Sequence, residues 1–199
     1  MQDHRRIALL IYAVAMGYLE AAVVVYLRAI YYPDGFAFPL RQVDPMILTV
    51  EGAREAATLV MIFAVAWAAS RRGWQTLTGF ALVFGVWDLL YYAGLKLVLN
   101  WPASLTEPDV LFLIPWVWIG PVWAPAGIAL SMAVAGWLLW PMRHEQIRTR
   151  AWEWGAMVAA GLILLATFLV PPALAGVTRM DQTYPEWTRG FPVWVWCAG

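Results

Sequence analysis

Cysteine, histidine and lysine are nearly absent from this chain. Its 199 residues hold one cysteine (Cys197), two histidines (His4 and His144) and one lysine (Lys96). A lone cysteine closes no internal disulfide. It also excludes paired-thiol redox motifs, covalent haem attachment and thiolate metal clusters. Both histidines stand beside arginines at the ends of apolar runs, where a pair could not ligate a haem inside a membrane. Charge is scarce too: 13% of residues are charged and the net charge is zero, which leaves no basic surface for nucleic acid. No serine sits in a GxSxG setting, and there is neither an HExxH pair nor a phosphate-binding glycine loop. Nucleophilic and zinc-hydrolase chemistry therefore have no support. From Val110 to Trp140 there is no charged residue at all.

What fills the chain instead is apolar. Hydrophobic residues make up 62%, more than a soluble domain of this length can hide. Five runs are long enough to span a bilayer as helices, which need roughly 20 residues each. They are Ile7–Tyr31, Met46–Ala69, Thr76–Leu99, Pro121–Trp140 and Trp152–Gly176. The start, MQDHRR before an apolar run, resembles a signal peptide. However, no A-x-A-like site follows and Glu20 interrupts the run, so it reads as an uncleaved first span. With the N-terminus inside, the inner ends carry Arg5, Arg6, Arg71, Arg72, Arg143, Arg148 and Arg150, against Arg41, Arg179 and Arg189 outside. This imbalance sets the orientation as N-in and C-out.

Between the third and fourth spans, NWPASLTEPD (100–109) reads as loop, with Glu107 and Asp109 as solvated charges. Pro115, Pro121 and Pro125 then break the apolar stretch. Residues 108–119 are expected to form a short re-entrant or interfacial segment rather than part of one kinked helix. The tail, 177–199, is expected along the outer headgroups, with Trp187 and Trp194 joining Tyr31, Tyr32 and Trp101 in an aromatic belt. Its Val193–Trp196 stretch alternates as a short docking strand would. The expected fold is thus all-α: a single integral-membrane bundle of five transmembrane helices over residues 1–199. Ala129-x-x-x-Ala133 and Ala156-x-x-x-Ala160 offer small-residue faces for close helix contact.

The charges inside the spans are segregated. Glu20, Arg28, Glu51, Arg54, Glu55, Asp88 and Lys96 all fall between mid-membrane and the outer interface. Glu51, Arg54, Glu55 and Thr58 share one helix face, Asp88, Tyr92 and Lys96 another with Tyr91 beside them, and Glu20 and Arg28 a third. An unpaired charge in hydrocarbon costs about 2.5–3.5 kcal/mol or more. The three stripes are therefore expected to face each other as one polar cluster, capped from outside by 108–119. The ligand- or ion-binding candidates are Glu20, Glu51, Arg54, Glu55, Asp88, Tyr91, Tyr92 and Lys96. A hard cation could use four carboxylates. Yet Arg54 stands between Glu51 and Glu55 and can hold both, so no metal and no cofactor is expected.

Two stretches, FGVWDLLYYAGLK with the following NWP (84–102) and DVLFLIPWVWIGPVWAP (109–125), resemble segments of uncharacterised bacterial multi-span inner-membrane proteins. That resemblance implies a multi-pass protein of the bacterial cytoplasmic membrane. It carries no activity, so no functional residue is transferred from it. The expected role is a binding or accessory subunit in a membrane assembly, with lipid and either a protein partner or a second copy as partners. A small proton- or ion-coupled transporter is the alternative. A membrane-surface enzyme using Asp88 or Glu55 as general base ranks behind both.

Overall fold

The computed structural model describes residues 2–37, 40–142, 150–174 and 191–198. Helix α1 (Gln2–Tyr31) is followed by α2 (Pro45–Ala69) and α3 (Gly73–Leu99). A two-stranded hairpin comes next, β1 (Pro108–Phe112) and β2 (Trp118–Pro121), then α4 (Trp123–Leu139), α5 (Ala151–Leu174) and a short α6 (Val193–Ala198). Of these, α1, α2, α3 and α5 are long and apolar enough to cross a membrane, and α4 is a shorter apolar helix. Large apolar side chains such as Ile11, Tyr26, Val60, Phe63 and Leu162 point outward, as a lipid-facing surface requires.

Local chemistry sets the helix ends. Asp44 caps α2, its carboxylate accepting from the Met46 amide at 2.7 Å, with Pro45 at the first helical position. Asn100, in the left-handed region at φ 52°, ends α3 just before Pro102. At the other end of the bundle two arginines serve exposed helix carbonyls. Arg5 donates to Ala69 O at the end of α2 (2.9 Å) and Arg6 to Trp137 O near the end of α4 (3.4 Å).

Helix α3 is the axis, with α1, α2 and α4 packed around it. The α3–α4 contact is a backbone approach. A Cβ on Gly136 would lie 2.5 Å from Leu82 N, and one on Gly85 would lie 2.3 Å from Ala129 O. Ala129 and Ala133 belong to this seam. The Ala156–Ala160 face of α5 makes no such contact among the described residues: Ala156 is exposed, and none of them lies within 4 Å of a Cβ on Gly155 or Gly161.

The segment before α4 departs from an all-helical bundle. It is an antiparallel hairpin, pairing Pro108 with Pro121 and Val110 with Ile119, with an irregularity between Val110 and Phe112. The prolines fall at the strand ends and in the turn, where no ladder hydrogen bond is lost. Alternation places Val117 and Ile119 in an apolar cluster with Leu40 and Val43. A helix kinked at the prolines, the alternative to a re-entrant or interfacial segment, is not formed; the chain turns back on itself as paired strands. The tail also differs. Residues 193–198 are helical, not extended, with Trp196 packed edge-on against Trp123 at 4.7 Å and Trp194 90% exposed. The tail residues 177–190, Trp187 among them, lie outside the described residues.

Candidate functional site

The charged face of α2 turns inward, burying Glu51, Glu55 and Thr58. Arg54 links two helices with different nitrogens. Its Nε donates to Glu51 Oε2 of its own helix at 2.7 Å, and its Nη1 to Glu20 Oε2 of α1 at 2.6 Å. Arg54 was expected to hold both glutamates of α2, but Glu55 is engaged elsewhere. Its Oε2 accepts from the Leu113 amide in the hairpin turn at 2.8 Å, and among the described residues it has no cation partner. The reason is reach: the hairpin folds down onto α2 and presents a backbone donor to the glutamate.

A second pair lies toward the outer end of α1. Arg28 Nη2 meets Asp109 Oδ1 at 3.1 Å, with the residues 6% and 2% exposed. The Tyr91 hydroxyl donates to Asp109 Oδ2 at 3.3 Å. The buried Tyr92 hydroxyl faces the same carboxylate. Phe36 and Trp101 lie against the Arg28 guanidinium, 4.2 and 3.8 Å from centroid to carbon. Asp109 is thus no solvated loop charge and Trp101 no belt residue. Burial pushes the Asp109 carboxyl up to about 6, against the opposing pull of Arg28. Its polar neighbours in sequence hid this role. Only the hairpin, which buries β1, brings it to α1.

These two groups line one cavity of about 110 Å³ between α1, α2 and the hairpin. Glu51, Arg54, Glu55, Arg28 and Asp109 supply its polar wall, and Val24, Leu27 and Leu48 much of its apolar one. Asp88 and Lys96 do not join it. Lys96 is exposed and turns outward, its Nζ donating to Pro102 O at 2.9 Å and Asn100 O at 3.4 Å beyond the end of α3. Asp88 is half-buried on α3 and lines a second cavity, with no hydrogen bond or ion pair among the described residues. Tyr91 borders both cavities, and Tyr92 borders the second. The expected single cluster of four acids and three bases is therefore divided. Beside the first cavity stand Glu20, Glu51, Glu55 and Asp109 against Arg28 and Arg54.

Such a cavity can seat a small molecule with an apolar part and a polar head that donates hydrogen bonds to carboxylates. Among the described residues no group of three or more His, Cys, Asp or Glu is placed to hold a metal ion. Below the charges the interior closes. Leu9, Ala13, Ile62, Val83, Trp87 and Trp140 form a buried apolar cluster. The Thr78 hydroxyl beneath is occupied by the Trp74 and Gln75 carbonyls of its own helix. No protein-family model, curated protein or solved structure matches the chain, so the site has to be interpreted from its own geometry.

Proposed function

We propose that this is a multi-pass protein of a bacterial cytoplasmic membrane that holds a small amphiphile in its outer half, as a binding or accessory subunit of a membrane assembly. The observation that carries this reading is Glu55. It is a buried carboxylate on the wall of a partly apolar cavity, held by one backbone amide and in no ion pair among the described residues. A ligand head that donates to it would complete the site. In this reading α4 crosses as a short fourth span. Its 17 residues reach about 25 Å against a core of about 30 Å, and Trp123 and Trp140 lie at the two ends. Five spans, with the arginine-rich end inside, give N-in and C-out.

The transport reading is disfavoured by the apolar cluster from Leu9 to Trp140, because a carrier needs access to both sides. The surface-enzyme reading draws no support from Glu55 or Asp88, where no described hydroxyl or thiol is hydrogen-bonded to either carboxylate. The accessory role draws support from α5, where no described residue approaches Gly155 or Gly161.

Native mass spectrometry of protein gently extracted from its host membrane tests the reading. A defined small-molecule mass on wild type that is absent from a folded Glu55→Gln variant would support ligand binding. A stoichiometric foreign polypeptide with no small-molecule mass would make the assembly role primary and the cavity structural. Neither mass on wild type sinks the proposal.

A further inference from the structure

The second cavity has chemistry of its own. It also measures about 110 Å³ and lies between α3, α4, the hairpin and Phe168 of α5. Its walls are aromatic: Phe84 from α3, Phe112 and Trp118 from the hairpin, and Phe168. Phe112 and Trp118 are themselves in ring contact at 5.2 Å. Into this lining α3 places Asp88, the one carboxylate within the spans without a partner among the described residues. Tyr92, one turn on, also lines the chamber, with its buried hydroxyl toward Asp109.

Among the described residues nothing balances Asp88. Its charged neighbours are Glu20 and Asp109, both carboxylates, and each is already matched, to Arg54 and to Arg28. Lys96, two turns along the same helix, donates to loop carbonyls at the surface instead. A carboxylate set among apolar side chains without a counter-charge is costly. A bare metal cation would want six or more oxygens, and the side chains here offer only Asp88 and the two tyrosines. Aromatic faces, in contrast, attract alkylated ammonium groups, whose methyls also bury well against rings.

We propose that the Asp88 chamber is a binding site for a small alkylammonium ion. Its N–H donates to the Asp88 carboxylate and its alkyl groups lie against Phe84, Phe112, Trp118 and Phe168. This site is separate from the Glu55 cavity and does not depend on what that cavity holds.

The test uses the full chain in lipid nanodiscs, titrated with trimethylammonium chloride at fixed ionic strength. Binding is read by saturation-transfer NMR against empty nanodiscs. Wild type should bind saturably, and tetramethylammonium, which has no N–H, should bind several-fold more weakly. Asp88→Asn should weaken trimethylammonium by about tenfold or more, while Glu55→Gln leaves it unchanged. Should Asp88→Asn fail to fold, Phe84→Leu and Tyr92→Phe address the same chamber, and each should weaken binding by several-fold. No saturable signal from wild type overturns the proposal. So does a folded Asp88→Asn that binds as wild type does, or wild-type affinity in both Phe84→Leu and Tyr92→Phe. Since Glu55→Gln and Asp88→Asn report on different cavities, either proposal can fail alone.

Discussion

Asp109 shows how a residue's role depends on what folds over it. In sequence it closes a polar loop. In the structure it is buried against Arg28 and Tyr91. Its carboxyl has an ordinary value of 3.8 and a folded one of about 6, because burial outweighs Arg28. Between those pH values the folded chain holds a proton that the unfolded chain has released. That stabilisation is complete below about pH 3.8 and is lost as pH rises through 6. Wild type should therefore lose stability relative to Asp109→Asn by up to about 1.4 kcal/mol per pH unit across the window. Unfolding of both proteins in the same detergent from pH 4 to 7 checks this, and parallel profiles would remove the cause named here. The Glu51–Arg54 contact, by comparison, is legible in the sequence, since three residues along a helix always bring two side chains together. The Arg28–Asp109 contact spans 81 positions, and no local rule reports it.

At the scale of elements, helices were legible and the hairpin was not. An apolar run of 20 or more residues in lipid has one regular solution, because the backbone must satisfy itself. Residues 108–121 were opaque for two reasons. The strands are five and four residues long, and Trp116 and Trp118 beside the prolines suit a membrane interface equally well. The helix seams are tested by size. Gly136 sits where a Cβ would press on Leu82 and Thr78 backbone atoms, so Gly136→Leu should cost about 1–3 kcal/mol or force α4 away from α3. Gly155→Ala, with no described residue within 4 Å, should cost no stability and gain up to about 1 kcal/mol from helix propensity. Thermal midpoints of the two variants side by side separate a seam from an open face. If Gly136→Leu matches wild type, α4 does not pack as described.

For the whole molecule, the five crossings proposed above would put the two ends on opposite sides. The single cysteine makes this measurable without engineering, because Cys197 is exposed. A membrane-impermeant maleimide should label Cys197 in intact spheroplasts and fail to do so in sealed inverted vesicles. A His4→Cys, Cys197→Ser variant should show the reverse. Labelling of both positions from the same side would mean that α4 does not cross. The segregation that makes the fold readable also shapes its use: charge collects toward the hairpin, and the other half of the bundle is apolar and shut by Leu9, Ile62 and Trp140.

A blind-ended chamber has a kinetic signature. Whatever binds above the apolar cluster must leave by the door through which it came. Any change that narrows that door, such as a tighter hold on the hairpin by the Trp116–Leu169 hydrogen bond, slows arrival and departure by the same factor. Residence time would then lengthen while affinity stayed where it was, and a molecule lodged at the mouth would trap an occupant as effectively as it kept the next one out.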